Sequence, residues 1–238
     1  MAVLEPSNTE LVHPHYMPTL RTGSLAEFGD LVEVRHLSVP ILEPTWYATR
    51  GKRLFDVVAS TLLAVLMVPF LAIAAIIVVL SLGRPLFYGQ LRVGRNGRPF
   101  KIFKYRSMRT EPVIDLTDGS PMGLVVDVDN RTTSATRIMR ALSLDELPQI
   151  FNVMRGTMSL VGPRPEVWSI AAADGLIDHP RNQVKPGMTG LWQISPKRQG
   201  EIVDGVELDL SYVSRMSLRQ DLSILLRTPL AVARSYTE

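Results

Sequence analysis

Apolar and polar positions are unevenly spread along the 238-residue chain. Residues 57–83 form a run of 27 without a formal charge. At about 1.5 Å per residue, an unbroken helix over that run would be roughly 40 Å long, enough to cross a hydrocarbon core of about 30 Å. Pro69 falls near the middle, where its missing backbone donor and its clash with the preceding turn predict a kink. Each half alone, roughly 18–21 Å long, is too short to cross. Lys52 and Arg53 precede the run and Arg84 follows it. Basic residues at both ends favour the same, cytoplasmic side for both. A re-entrant helix pair hinged at Pro69 satisfies that pattern better than a straight span, which leaves one basic flank outside.

After this run the apolar period changes. Residues 86–93 and 98–105 are β-compatible and flank Gly94-Arg95-Asn96-Gly97, where Asn-Gly predicts a hairpin turn because both residues tolerate positive φ. The second strand leads into Lys101, Lys104, Arg106 and Arg109. These suit either a solvated edge strand, whose charges discourage pairing with another chain, or a surface that meets phosphate or lipid headgroups. Residues 110–135 are polar and punctuated by glycine and proline, the pattern of a surface loop. Residues 136–142 have helical character and carry Arg137 and Arg140. Residues 206–216 and 218–226 are amphipathic. Leu208, Val213, Met216, Leu222, Leu225 and Leu226 are candidate apolar positions, and Arg215, Arg219 and Arg227 give a basic face. Core packing and helices lying in a membrane interface both fit that pattern. Upstream of the apolar run, residues 1–50 have little periodicity and read as a partly irregular cytoplasmic extension with a short helix near residues 25–37. No basic start followed by an apolar stretch opens them, so no signal peptide is expected.

Composition agrees with a membrane segment: 46% of residues are hydrophobic and 21% charged, with a mean hydropathy of +0.12. The chain has no cysteine, which excludes disulfides, thiolate catalysis and cysteine-bound zinc. A net charge of +3 suits an anionic membrane leaflet or an anionic substrate and is too small to argue for nucleic acid.

The densest chemistry lies in residues 143–166. Ser143-Leu144-Asp145-Glu146 fits a capping box, with Ser143 as cap and Glu146 at the third helical position, although Pro148 complicates the register. Either way, both acids sit near a helix start, where carboxylates are stabilised and phosphate also binds. Adjacent carboxylates suit two jobs. One can attack phosphorus, and the other can hold Mg²⁺. An acid near that dipole and Arg140 is expected to stay ionised. Gly162-Pro163-Arg164-Pro165-Glu166 fixes one arginine between two prolines, so that its guanidinium can clamp a phosphate. Lys185 opens a second Gly/Pro turn, running to Trp192 and Gln193, that could face substrate or seat a core tryptophan. Asp127 and Asp129 form an Asp-x-Asp triplet, a weak metal motif. His13 and His15 fit a solvated tail better than a metal site.

Taken in order, KRLFDVVAS, FYGQLRVGRNGRPFKIFKYRSM, SLDELPQIFNVMRG, MSLVGPRPE, VKPGMTGLWQIS and ELDLSYVSRMSL resemble the bacterial sugar transferase family, the monotopic phosphoglycosyl transferases. The resemblance covers about residues 52–234. It implies an α+β, membrane-associated fold with one re-entrant helix pair hinged at Pro69, interfacial amphipathic helices and a small β-hairpin. The chain then divides into an extension (1–50), a re-entrant helix (51–84) and a catalytic region on the cytosolic face (85–238). The location implied is the cytoplasmic face of the bacterial inner membrane.

The activity implied is transfer of a sugar phosphate from a UDP-sugar to undecaprenyl phosphate, releasing UMP, with Mg²⁺ as cofactor. Asp145 matches the nucleophile that forms a phosphosugar-aspartyl intermediate, and Glu146 the metal-binding acid. Arg140 and Arg164 match arginines near the phosphates. Lys104, Arg106 and Lys185 are further candidates for phosphate or substrate binding, and Asp209 and Asp221 fall where the family usually carries acids. Membrane lipid is an expected partner, and a homo-oligomer stays open. Three positions depart from the family pattern: Val68 before the hinge proline, Thr157 after Gly156, and Ser195-Pro196-Lys197-Arg198 after the tryptophan turn. The competing reading is a catalytically inactive, membrane-anchored component of a polysaccharide assembly complex. It predicts a broken acidic pair or a lost Gly-Pro-Arg-Pro-Glu turn, and both are intact.

Overall fold

The charge-free run folds as two helices. In the computed structural model, which describes residues 45–109, 131–196 and 202–237, a π-helical turn at Tyr47–Gly51 enters α1 (Lys52–Leu66). After Met67 follows α2 (Val68–Leu82), and the pair is bent by 61°. Pro69 lies in the first turn of α2. There its missing N–H is one that no helix would use, so ending α1 just before it removes the cost of an interior proline. No single helix among the described residues is long and apolar enough to cross a membrane; the bent pair together is, by length and composition.

The packing of α1 is inside out. Lys52, Asp56 and Ser60, spaced by four, are buried, while Leu54, Val58, Leu62 and Val65 face outward. Only Ala74 and Val78 of α2 are buried, and Leu80 is 81% exposed. Asp56 Oδ1 accepts from Lys52 Nζ at 2.9 Å, the Ser159 hydroxyl at 3.0 Å and the Leu160 amide at 3.1 Å. Lys52 also meets Asp221 at 2.8 Å. The Arg53 guanidinium donates to the carbonyls of Val153 and Met154 at 2.7 and 2.8 Å.

The predicted hairpin forms from β1 (Phe87–Val93) and β2 (Pro99–Tyr105), paired antiparallel from Phe87↔Tyr105 to Val93↔Pro99. Asn96 and Gly97 take φ of 55° and 69° in its turn, as the Asn-Gly signal requires. This register sets Arg92, Gln90, Ile102 and Lys104 on one face, because Arg92 pairs with Phe100, Gln90 with Ile102 and Tyr88 with Lys104. Helix α3 (Ser134–Ala141) is capped by Thr133, whose hydroxyl accepts from the Thr136 amide while the Thr136 hydroxyl accepts from the Thr133 amide.

That capping box lies one element earlier than the one expected at Ser143. Ser143 makes no side-chain cap and has φ 55°. Its amide bonds Arg140 O at 2.9 Å and its carbonyl accepts from the Glu146 amide at 3.1 Å. Leaving α3 so abruptly takes a left-handed residue, whereas an N-cap needs an extended one. A 3₁₀ turn follows (Leu144–Gln149) that tolerates Pro148, and α4 (Ile150–Arg155) continues from it.

Strand β3 (Ser159–Val161) pairs in parallel with β4 (Gly187–Thr189). Between them run the Gly-Pro-Arg-Pro-Glu turn, α5 (Trp168–Ala173) and a 3₁₀ turn at Pro180–Gln183. Then come α6 (Leu191–Ile194), α7 (Ile202–Ser214) and α8 (Leu218–Thr237). The core gathers Ile102 of β2, Ile150 and Val153 of α4, Leu160 of β3, Tyr212 of α7 and Ile224 of α8, and the architecture is α+β as expected. Of the candidate apolar positions, Val213 and Met216 are buried, but Leu222 and Leu226 are 45% and 81% exposed. With Leu218 and Leu230 they form an outward stripe at four-residue spacing along α8. Asp127, Asp129, His13, His15 and residues 1–44 of the extension lie outside the described residues.

The two turns flanking β3 and β4 touch through bare backbone. A Cβ on Gly187 would meet Gly162 N at 2.1 Å and Thr189 O at 2.4 Å, while one on Gly175 meets nothing within 4 Å. Gly187→Ala therefore forces backbone apart and is expected to lower the thermal midpoint by roughly 5 °C or more. Gly175→Ala, strained only by its φ of +66°, should cost visibly less. Tryptophan fluorescence melts of both variants in detergent check this, and an unchanged midpoint for Gly187→Ala contradicts the contact.

Candidate active site

Five elements converge on one cavity. It is lined by Arg92 of β1, Lys104 of β2, Glu146 and Gln149 of the 3₁₀ turn, Arg164 of the Gly-Pro-Arg-Pro-Glu turn, and Gln193 of α6. Glu146 Oε1 accepts from Lys104 Nζ at 2.6 Å. Burial pushes the Glu146 carboxyl up, but Lys104, Arg164 and a hydrogen bond from Gln149 outweigh it and hold the group below its ordinary range. Arg92 donates to Pro165 O at 2.9 Å and to Gln90 Oε1 at 2.6 Å, and its Nε has no partner. Burial and then the nearby Arg164 both disfavour its charge. An arginine does not lose its proton, so this crowding of positive charge is offset in part by Glu166 and Glu146 and would be offset further by a bound anion.

Asp145 stands beside this cavity, 8% exposed. Its Oδ2 accepts from the Ser107 hydroxyl at 3.1 Å, and Arg140 donates to that hydroxyl at 3.4 Å. Arg140 thus reaches Asp145 through a serine. Burial, then the charge on Glu146, raise the Asp145 carboxyl above its ordinary value despite Lys104, Ser107 and Arg140. Desolvation thus outweighs the nearby cations, and the cap geometry expected at Ser143 is absent.

The Arg164 backbone is held from two sides. The Val93 amide bonds Glu166 O at 3.0 Å. From the other side, the buried Arg181 donates to Arg164 O at 2.8 Å and to Glu166 Oε1 at 3.2 Å. Arg181 also pairs with Asp209 at 2.5 Å. Burial lifts the Asp209 carboxyl to about 7 against the pull of Arg181.

Of the residues singled out from sequence, Lys104, Glu146 and Arg164 meet at the cavity, with Asp145 and Arg140 alongside. Arg106 lies one residue before Ser107 and donates to Leu82 O at 2.6 Å and Gly83 O at 2.9 Å, closing the end of α2. Asp221 is buried against Lys52 and accepts from the hydroxyls of Tyr47 at 2.6 Å and Tyr212 at 2.8 Å. Lys185 is half-buried, its ammonium pushed down by burial and by Arg53. Lys185, Asp209 and Asp221 do not line the cavity. Arg92, Ser107, Gln149 and Arg181 went unpredicted, and the turn expected to face substrate reaches the cavity through Gln193 rather than Lys185. Arg92 was recoverable, since the hairpin register puts it on the face of Lys104.

Among the described residues no three His, Asp or Glu side chains cluster to cage a metal. Two adjacent carboxylates fit Mg²⁺, which is usually held by one or two carboxylates together with water and substrate phosphate.

Lys104 sets the charge state of Glu146, so Lys104→Met should let burial prevail. The Glu146 carboxyl then rises, and any activity that needs it ionised fails at a higher pH on the acid side. A pH–rate profile of the variant whose acid limb coincides with wild type would refute this link.

The sequence profile of the bacterial sugar transferase family matches residues 47–235. The chain is 40% identical over 190 residues to a UDP-glucose:undecaprenyl-phosphate glucose-1-phosphate transferase of Caulobacter vibrioides, covering 74% of this chain and 67% of the relative. It is 40% identical over 189 residues to an undecaprenyl-phosphate glucose phosphotransferase of Komagataeibacter xylinus, with 74% and 35% covered. It is 37% identical over 203 residues to the exopolysaccharide production protein ExoY of Rhizobium meliloti, with 78% and 86% covered. The chain thus spans about a third of the length of the second of these relatives and two thirds of the first. With nearly all of the described residues inside the matched range, the chain belongs to the bacterial sugar transferase family.

Proposed function

We propose that this protein moves a sugar phosphate from a UDP-sugar to undecaprenyl phosphate at the cytoplasmic face of the bacterial inner membrane, opening the assembly of an exopolysaccharide or related glycan. The observation that carries the reading is the adjacent Asp145 and Glu146 beside a cavity where Lys104, Arg92 and Arg164 crowd positive charge. That crowding of positive charge favours an anion such as a diphosphate. The names of the relatives, which specify undecaprenyl phosphate and glucose, support the substrate pair.

In the first half-reaction an Asp145 carboxylate oxygen attacks the sugar-bearing phosphorus. The bond from that phosphorus to the bridging oxygen breaks, and UMP leaves with the oxygen and the electron pair. In the second, a phosphate oxygen of undecaprenyl phosphate attacks the phosphosugar-aspartyl group, and the Asp145 carboxylate is released. Arg164 and Lys104 hold the diphosphate in line, and Ser107 with Arg140 orients Asp145. Glu146 is the residue to hold Mg²⁺, which when bound offsets the charge of the diphosphate.

The bent α1–α2 pair serves as a re-entrant anchor, its apolar outer side in lipid and both ends on one face. The Leu218–Leu222–Leu226–Leu230 stripe, bordered by Arg219 and Arg227, lies in the interface.

Asp145→Asn should reduce UMP release from UDP-sugars at least ~10³-fold and abolish covalent labelling by a sugar-labelled donor. Full activity in that variant would sink the mechanism. Chelation by EDTA should stop UMP release, and added Mg²⁺ should restore it. Because the chain has no cysteine, single-cysteine variants Arg50→Cys and Arg84→Cys report topology directly. Both should react with an impermeant maleimide only from the cytoplasmic side, and labelling from opposite sides would rule out re-entry.

A further inference from the structure

We propose that Gln193 reads the nucleobase of the donor, pairing its side-chain amide with the imide edge of uracil; the inference rests on the UDP-sugar reading above. Gln193 lines the same cavity as Glu146, Lys104 and Arg164, yet its Oε1 and Nε2 are both buried and neither has a hydrogen-bond partner. A fold seldom leaves both ends of a buried amide unsatisfied, and in a functional cavity such an orphan marks the place of a missing partner.

The side chain is seated from below by glycine. A Cβ on Gly190 would lie 2.7 Å from Gln193 Oε1 and 2.2 Å from Gly162 O. Only a glycine there lets the turn that carries Gln193 press on the turn that carries Arg164. Gln193 and Arg164 thus sit on two turns in backbone contact and line one cavity.

The chemistry of that wall separates the parts of a nucleotide sugar. Phosphate offers acceptors alone, so it would leave Oε1 unpaired, and Lys104, Arg92 and Arg164 already supply donors for it. Sugar hydroxyls rotate and need no fixed pair. A planar imide presents one N–H donor beside a carbonyl acceptor, in the same plane and at the spacing of a carboxamide. Gln193 matches it with two hydrogen bonds and loses both of its unsatisfied atoms at once.

The test uses the full-length protein in nanodiscs, with UMP and N3-methyl-UMP as competing inhibitors of UMP release from a UDP-sugar. Wild type should bind UMP at least about tenfold more tightly than the N3-methyl analogue, because a site built to hydrogen-bond a group rejects the ligand lacking it. Gln193→Met, similar in length, should bind UMP roughly tenfold or more weakly and no longer distinguish the two. The wild-type comparison needs no variant, so a Gln193→Met protein that fails to fold leaves the proposal testable. Equal inhibition of wild type by both nucleotides overturns the role of Gln193 alone. A Gln193→Met variant that alters preference among UDP-sugars with UMP inhibition untouched overturns it too, placing the amide at the sugar. No inhibition by UMP at any concentration, together with no UMP release, instead removes the underlying substrate reading.

Discussion

Everything in the described fold is hung from one buried carboxylate. Asp56, 1% exposed, joins α1 to β3 through the Ser159 hydroxyl and the Leu160 amide, and Lys52 extends the same network to Asp221 on α8. A helix whose apolar side chains point outward is poorly fixed to a protein body by hydrocarbon burial. Its inner face must be held by directional bonds, which cost desolvation and repay it only when every lone pair is met. Asp56 takes three donors on its Oδ1 alone. The bonds also set the rotation of α1, which apolar packing would leave loosely defined. Because β3 runs straight into the turn bearing Arg164, fixing β3 to α1 also fixes the arginine.

The two acids of the site are neighbours in sequence and opposites in electrostatics. Glu146 is drawn down by Lys104 and Arg164, whereas Asp145 is pushed up by burial and by the charge of Glu146 itself. Adjacent groups driven apart in this way are suited to different tasks. The acid facing the cations is held toward its charged form, and the one held by a serine is held away from it by its surroundings. The glycine contacts at Gly162, Gly187 and Gly190 matter here because they put Arg164 and Gln193 on opposed, unyielding supports.

What could be read from sequence followed from local rules. Pro69 located the break, Asn96-Gly97 located the hairpin to within a residue, and the acidic pair and the arginine turn, singled out together, do meet at one cavity through Glu146 and Arg164. Ser143 misled because a capping box and a left-handed reversal present the same short run of letters, and the nearness of α3 decided between them. The pairing of Lys52 with Asp221, and of Arg181 with Asp209, joins residues far apart along the chain that no periodicity connects. Thr157, a departure from the family pattern, is absorbed locally: its hydroxyl donates to Asn152 O and accepts from Asn152 Nδ2, both at 3.2 Å, closing the end of α4.

Arg106 and Ser107 are consecutive, and their side chains face different worlds. One grips the last carbonyls of α2, and the other grips Asp145. Two consecutive residues therefore tie the last turn of α2 to the Asp145 carboxylate. A tilt of that helix end against the body would be passed to the carboxylate through one short piece of backbone, with no other element in between.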